Sequence, residues 1–428
     1  MAPRAHEEQA LRQVPTIAAL VALALPAGAQ GRDLPQALDA ELRRVDRASE
    51  ALEAREGSKL GFVLLEWGGA RRELEERGVH VEVWLTSDGS WALGGGADEG
   101  ATALRSLLDV VFALDTGPAL GVPGGTLFAD VQWITGVDPT ARYGVLQAIS
   151  NIDADRRLQL GRLWYEQAFE SSGTALRVGK IDANSLFAYV EQGAEFLNGS
   201  MGFSPTILPM PSYPDAATGV VLRQELGEHV ELRAGAFDGS IAYGVRTGLH
   251  GPQTWFESPT ATTWLGELDL AWGSGRLGLG GWWLDGELAR FDGGVEDGTG
   301  GLYLTLDQAL WRDARDGARY LGGFLQLGDA DGAVSPFAEH LGAGLVWHGA
   351  ATSSRVDHLG LGVTRAGLSD APGAGFSEDD ETAIELFWGF ELRPWMRVKP
   401  DLQYVVHPGG DASLDDLLVA GLRLTLAL

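Results

Sequence analysis

Hydrophobic and polar residues alternate along most of the chain after Gly78, which is the spacing of β-strands whose two faces meet different surroundings. In the clearest segment, from Trp264 to Trp272, every second residue is apolar or glycine, while Glu267 and Asp269 lie on the opposite face. Such a segment predicts a strand with one face in an apolar medium and the other in water.

A short Gly-Ser-Gly connector at 273–275 joins this segment to a second alternating one, Leu277 to Trp283, so the two together predict a β-hairpin. The same alternation recurs at 302–306, 341–347, 359–363, 384–390, 396–406 and 418–428. In the last of these segments the leucines share one face and Arg423 lies on the other. Soluble β-sandwiches and propellers also alternate, so the pattern by itself leaves them open.

The only compact apolar run, Val14 to Ala29, follows Arg4 and Arg12 and ends in Ala-Gly-Ala. It predicts a secretory signal peptide, residues 1–29, cleaved after Ala29. A membrane-spanning helix needs about 20 apolar residues, and this run is shorter. A buried core helix is the alternative interpretation. No other stretch of the chain is long and apolar enough for a spanning helix.

Export, together with tryptophans at strand ends, favours a β-barrel in the outer membrane, because lipid accepts closed barrels and places aromatic girdles at both borders of their apolar band. The predicted fold class is therefore all-β, an antiparallel barrel over residues 60–428. Residues 30–59 form a linker in which 33–57 have the spacing of a short amphipathic helix. This helix either presents a solvated face or caps the barrel and binds a partner.

The connectors predict an asymmetric barrel, with short turns on the periplasmic side and long loops outside. The connector at 273–275 is short, whereas 285–301 and 367–381 are expected to be long acidic loops. The longest stretch without strand character, 182–215, contains four prolines, which resist pairing in a sheet. We expect it to fold into or over the lumen, with a mobile surface loop as the alternative.

Composition narrows the functional classes. The 428 residues carry a formal charge of −27, which argues against a nucleic-acid partner, and contain no cysteine, which excludes disulfides and thiol chemistry. No nucleophile, phosphate-binding or zinc motif occurs, so neither an enzyme, a cofactor nor a metal site is predicted. A glycoside hydrolase using two carboxylates, such as Glu166 with Asp182, is a weak alternative because chance pairs abound in so acidic a chain.

Several strings in a fixed order resemble the carbohydrate-selective porin family of OprB type. They are NIDA at 151–154, LWYEQAF at 163–169, GKIDANSLFA at 179–188, EFLNGSMGFSP at 195–205, PSYPDAATG at 211–219, KPDLQYVVHPGG at 399–410 and the opening region at 67–96. The resemblance implies an outer-membrane barrel of 16 strands in a Gram-negative cell. It also implies passive diffusion of small sugars, monosaccharides such as glucose, into the periplasm.

The partners that follow from this resemblance are small sugars and outer-membrane lipid, and association into homo-oligomers stays open. Two other functions also stay open, a general diffusion porin and a plugged structural barrel. Detergent-solubilised protein that conducts in planar bilayers would separate a pore from a plugged barrel.

A sugar in a lumen exchanges hydrogen bonds with water for hydrogen bonds with the wall. Polar and aromatic residues of two predicted strands could supply them. These pore-lining candidates are Arg162, Trp164, Glu166, Arg177, Lys180, Asp182 and Asn184. Arg and Lys donate to hydroxyls, carboxylates accept, and Trp stacks on a pyranose. Alternatively, these charges only pair with one another inside the wall. Leu160 and Arg162 are two residues apart, so a regular strand would place both side chains on the same face. A β-bulge between them would place them on opposite faces.

Overall fold

Sixteen antiparallel strands close into a single barrel in which each strand pairs with its neighbours in the chain and β1 pairs with β16. This computed structural model describes residues 67–169, 171–317, 319–350 and 357–428. The predicted fold class and strand number are confirmed. The predicted signal peptide and the helix at 33–57 lie outside the described residues.

The strands begin where the alternation begins, at Val79. Their bounds are β1 Val79–Gly94, β2 Thr102–Asp115, β3 Gly125–Gly136, β4 Arg157–Phe169, β5 Thr174–Ile181, β6 Ala217–Glu225, β7 Val230–Asp238, β8 Thr262–Trp272, β9 Gly275–Ala289, β10 Val295–Arg312, β11 Tyr320–Ala330, β12 Phe337–His348, β13 His358–Leu368, β14 Asp380–Arg393, β15 Met396–Val406 and β16 Leu417–Ala427.

Within the part of the chain that the structure describes, helices are few and short. They are α1 Ala70–Glu75, which precedes β1, α2 Thr116–Leu120, α3 Thr140–Tyr143 and α4 Gly199–Gly202, with several 3₁₀ turns in the loops. Among the described residues, none of the helices has the length and apolar character needed to cross a membrane.

The outer face of the barrel carries the apolar residues that the alternation predicts. In β8 the side chains of Trp264 and Leu268 face outward, while Glu267 and Asp269 are buried on the inner face. Trp264 pairs in register with Trp283 of β9, so the predicted hairpin is confirmed. Exposed aromatic residues border both ends of the apolar band, as membrane barrels require. They are Trp91, Trp133, Trp264, Trp283 and Tyr404 at one end and Phe112, Tyr165, Phe169, Trp311, Trp347 and Trp388 at the other.

A β-bulge in β4 decides which residues of this strand face the lumen. Asp130 pairs with Arg162 and the next residue, Val131, pairs with Leu160, so Gly161 is an extra residue without a partner. Leu160 is therefore exposed on the outer face, although it shares parity with Arg162 on the inner face. The β-bulge between Leu160 and Arg162 that the sequence suggested is therefore present.

Long loops gather at one end of the barrel and short turns at the other. The predicted long loop at 367–381 is largely confirmed, since residues 369–379 connect β13 to β14. The predicted long loop at 285–301 is wrong, because β9 and β10 continue into it and only residues 290–294 form the turn. This hairpin extends past the apolar band, where water contacts both faces of the strands and the alternation disappears.

The longest connection, residues 182–216 between β5 and β6, folds into the barrel, and we refer to it as the lumen segment. Its apolar side chains, among them Phe187 and Ile207, pack against inner-wall residues such as Phe237 and Trp282 and form the largest hydrophobic cluster of the described residues. The prediction that this stretch enters the lumen is confirmed. The hydrophobic core therefore lies inside the barrel, along the wall of β2 to β11.

Glycines on the inner wall of β11 to β13 make room for the lumen segment. A Cβ at Gly362 would lie only 2.7 Å from Cε1 of Phe196, and one at Gly322 would clash with Oε1 of Gln192. Phe196 packs at this place against Phe324 and Phe387 of the wall. Because these glycines have no side chain, the lumen segment can lie close to the backbone of the wall.

Candidate functional site

Buried acidic residues of the inner wall hold the lumen segment by its backbone. Asp307 of β10 accepts the N–H groups of residues 191 and 192, each at 2.9 Å. Glu385 of β14 accepts those of residues 197 and 198, at 2.7 and 2.8 Å. Gln326 of β11 donates to the carbonyls of residues 200 and 201. Because N–H groups in a buried loop need acceptors, these side chains fix the path of the segment.

The β3–β4 loop, residues 137–156, is held in the same way. Glu381 of β14 accepts the N–H groups of residues 146 and 147 at 2.9 and 2.7 Å. Gln403 of β15 donates to the carbonyl of Ile149 at 2.8 Å and accepts from Asn198 of the lumen segment at 3.2 Å. Two loops therefore narrow the lumen together, and strands β14 and β15 anchor both.

Paired charges of both signs run along the inner wall from β4 to β9. The members of this charge ladder, in wall order, are Glu166, Arg177, Arg223, Glu231, Arg233, Glu267, Asp269 and Arg276. Glu166 receives hydrogen bonds from both Arg177 and Arg223, at 2.9 and 3.3 Å. Most members of the charge ladder are buried, so each charge needs the opposite charges beside it to offset the free-energy cost of its removal from water.

The pore-lining candidates of β4 and β5 lie on the inner wall, but they differ in access to solvent. Arg162 keeps about 20% of its side chain exposed and pairs with Asp130 at 2.7 Å. Glu166 and Arg177 belong to the buried charge ladder. Trp164 is 1% exposed, with Phe128 stacked on one face at 4.8 Å and the Arg177 guanidinium on the other at 3.8 Å. Trp164 therefore has no free ring face for a sugar.

The other three pore-lining candidates lie at the entrance to the lumen segment. The Lys180 ammonium donates to the carbonyls of Gly248 and His250 in the β7–β8 loop. The Asp182 side chain accepts the N–H of Asn184 at 3.1 Å and caps a 3₁₀ turn, and the Asn184 amide donates to the carbonyl of Phe187 at 3.3 Å. These contacts hold the loops in place. Trp164, Glu166 and Arg177 thus contact one another inside the wall, whereas Lys180, Asp182 and Asn184 contact the backbone of the loops.

A polar cluster where β16 pairs with β1, around Arg423 of β16, escaped the sequence analysis. Arg423 makes a bidentate pair with Asp88 of β1 at 2.8 and 2.7 Å. The same guanidinium donates to Ser150 at 3.2 Å and to the exposed Asn151 at 2.7 Å. Hydrogen-bond donors and acceptors thus stand side by side at the lumen surface. We call Asp88, Ser150, Asn151 and Arg423 the Arg423 cluster.

A second polar group adjoins this cluster, because Lys399 of β15 pairs in register with Arg423. The Lys399 ammonium lies 3.4 Å from the Glu195 carboxylate and 4.4 Å from the centre of the Phe387 ring. His358 of β13 lies 3.1 Å from the same carboxylate. Burial opposes the charge of Glu195, but His358 and Lys399 outweigh it and hold the pKa of this carboxyl well below its usual range.

Replacement of Glu195 by Gln is expected to lower the free energy of unfolding by about 1.5–3 kcal/mol, the usual worth of hydrogen bonds to a charged group. The pKa of Glu195 is lower in the folded protein than in the unfolded chain. The stability that the Glu195 carboxylate provides is therefore fully present above the pKa of the unfolded chain and is lost only as the pH falls through the pKa of the folded protein. Thermal unfolding in detergent should therefore show that Glu195→Gln loses at least as much stability, relative to wild type, at pH 5 as at pH 8. A loss confined to pH 8 would contradict this assignment.

The sequence carried a weak signal for these residues. Arg423 stood out as the charge opposite the leucines of the last strand, and Lys399 and Asn151 begin two of the strings that resemble a family. Their neighbours in space come from distant parts of the chain, so spacing along the sequence could not group them. Among the described residues, no three His, Asp or Glu side chains converge as a metal site.

A closed barrel with an apolar outer belt, a polar inner wall and loops that narrow the lumen is a membrane channel of porin type. The sequence pattern of the family described as "Carbohydrate-selective porin, OprB family" matches residues 100–428. The chain therefore belongs to the carbohydrate-selective porins of OprB type, which are outer-membrane barrels. The resemblance that the sequence strings indicated is confirmed.

Individual relatives are distant. Porin B of Pseudomonas aeruginosa is 27% identical over a stretch that covers 29% of this chain and 32% of that protein, so the match spans about a third of the relative's length. A high-pH structure of Pseudomonas putida OprB has 19% identity and a TM-score of 0.76, covering 85% of this chain and 97% of that one. The outer-membrane channel DcaP of Acinetobacter baumannii has 8% identity and a TM-score of 0.51, covering 82% and 97%. These structural similarities concern the fold.

Proposed function

We propose that this chain forms a passive channel through which small neutral carbohydrates, monosaccharides such as glucose, diffuse across the outer membrane into the periplasm. The observation that carries the proposal is the Arg423 cluster beside Lys399 and Glu195, in a lumen narrowed by two anchored loops. Membership of the carbohydrate-selective porins supports the same substrate class.

The chemistry of this place suits a polyol. Each sugar hydroxyl both donates and accepts a hydrogen bond, and the wall offers donors on Arg423 and Lys399 next to acceptors on Asn151 and Glu195, while the buried Asp88 carboxylate neutralises Arg423. These charges balance in pairs, so the place does not demand a charged solute. The partners already hold one another, so a passing hydroxyl makes contacts of moderate strength and can leave again.

Arg162 is the pore-lining candidate that we retain for direct contact with a solute, because it is partly exposed on the inner wall. We assign Trp164, Glu166 and Arg177 to support of the wall, since their contacts are already made inside it. A channel rather than an enzyme agrees with the fold and the family.

A liposome-swelling comparison tests this function. Purified protein is reconstituted, and entry of glucose, a size-matched amino acid and a disaccharide is compared with that into empty liposomes. Faster entry of glucose than of the amino acid is expected. Rates ordered only by size would instead indicate a general diffusion porin, and absence of swelling with folded, inserted protein would indicate a plugged barrel.

A single substitution sharpens the comparison. Asn151→Ala removes an exposed amide that accepts a hydrogen bond from Arg423, and it leaves the Asp88 pair intact. Glucose entry is expected to change by roughly two- to tenfold, equivalent to one hydrogen bond of about 0.5–1.5 kcal/mol, without an equal change for the amino acid. Gln253→Ala removes an amide from another exposed residue, in the β7–β8 loop, and serves as the matched control.

A further inference from the structure

The outer wall of the barrel carries a groove of about 880 Å³ across β10 to β14. Two small outward-facing residues, Gly323 of β11 and Ala343 of β12, lie along it, where the neighbouring outward positions carry leucines. Gly323 lies near the start of β11, close to the short-turn end of the barrel. The groove therefore belongs mainly to the half of the membrane that faces the periplasm.

Side chains on both sides define the groove. Gly323 pairs in register with Leu345 of β12, and a Cβ at Gly323 would lie 3.0 Å from Cδ1 of Leu310 and 3.3 Å from Cδ2 of Leu345. Leu361 and Ile384 line it further along and are 55% and 41% exposed. The groove is thus narrow and apolar, and it continues the surface that the barrel presents to lipid.

One end of the groove is polar and lies at the membrane border. The Gln308 side chain donates to the backbone and the hydroxyl of Ser274 in the β8–β9 turn, at 3.1 and 2.9 Å, and accepts from the Trp272 indole at 2.9 Å. The next periplasmic turn, residues 313–319, presents the exposed Arg315. An apolar groove that ends in hydroxyl and amide groups, with a guanidinium on the neighbouring turn, matches the division of a phospholipid into acyl chains and a phosphate headgroup.

We propose that this groove is a binding site for one phospholipid of the periplasm-facing leaflet, with its acyl chains along Gly323 and Ala343 and its headgroup beside Gln308 and Ser274. The site is independent of what passes through the lumen. A phospholipid fits better than a second copy of the chain, because the surface is concave, continuous with the lipid-contacting belt and polar only where headgroups lie.

Native mass spectrometry of the purified full chain with added phosphatidylethanolamine tests the site. Gly323→Leu fills the groove, and retained lipid per barrel is expected to fall roughly tenfold, the effect of losing contact with about two methylene groups. Ala343→Leu should act in the same direction. Gly266→Leu is the matched control, because Gly266 also faces lipid, on β8, and has open space around it.

Heat-modifiable migration on gels verifies that each variant is folded, and glucose swelling should be the same for all of them. Equal lipid retention in wild type, Gly323→Leu and Gly266→Leu would overturn the proposal. A change from a dimer or trimer to a monomer in Gly323→Leu, without bound lipid in wild type, would overturn it as well and assign the groove to self-association. Neither result depends on whether the lumen selects sugars.

Discussion

Deletion of Gly161 is expected to abolish assembly of the native barrel. Without the bulge, residues 157–160 must turn to the opposite faces of β4, because side chains of a strand alternate. Leu158 and Leu160 would then enter the lumen, and Arg157 would leave its ion pair with Asp215, which now measures 2.8 Å. Separating such a largely buried pair costs about 3–5 kcal/mol. Refolding into detergent micelles, followed by circular dichroism and gel migration, measures the outcome.

Gly161→Ala is the control, because it keeps the residue count and therefore the faces of the strand. Its Cβ would approach the Gln132 side chain to 2.5 Å, so this side chain must shift, and a modest loss of stability is expected. A deletion variant that assembles as well as this control would show that the bulge does not set the inner face of β4.

Removal of two wall carboxylates, Asp307→Ala with Glu385→Ala, is expected to raise the single-channel conductance several-fold and to admit the disaccharide. The double variant leaves four N–H groups of the lumen segment without their acceptors, and each of the three buried ones, on residues 192, 197 and 198, costs about 1–3 kcal/mol. The cheapest remedy is for this part of the segment to leave the wall and expose these groups to water. Planar-bilayer recordings and liposome swelling measure both effects.

The matched control removes two carboxylates that do not touch the segment. Asp329→Ala with Glu339→Ala changes the charge by the same amount at exposed positions near the long-loop end. In about 1 M salt the screening length is near 3 Å, so charge alone has little effect on conductance. Unchanged conductance in the first double variant, or an equal rise in the control, would contradict the anchoring role of Asp307 and Glu385.

Alternation along the chain decided the class of fold and the outer surface. A barrel strand has only two surroundings, lipid and lumen, and each residue meets one of them according to its parity, so the pattern from Trp264 to Trp272 could be interpreted without any partner. The sequence also indicated the β-bulge, because Leu160 and Arg162 are two residues apart, yet an apolar and a charged side chain prefer opposite faces of the strand. In the hairpin around residues 290–294 water contacts both faces of the strands, so the alternation is absent. The prediction of a long loop there was therefore wrong.

Tertiary structure alone decided the interior. Arg423 and Asp88 are 335 residues apart and meet because closure of the barrel places β16 beside β1. Trp164 has the residue type of a sugar platform, yet Phe128 and Arg177 cover both of its faces. Parity places a side chain in the lumen, but whether the side chain meets water there depends on a folded-in segment and on strands far away along the chain. Those contacts are long-range, and no local pattern records them.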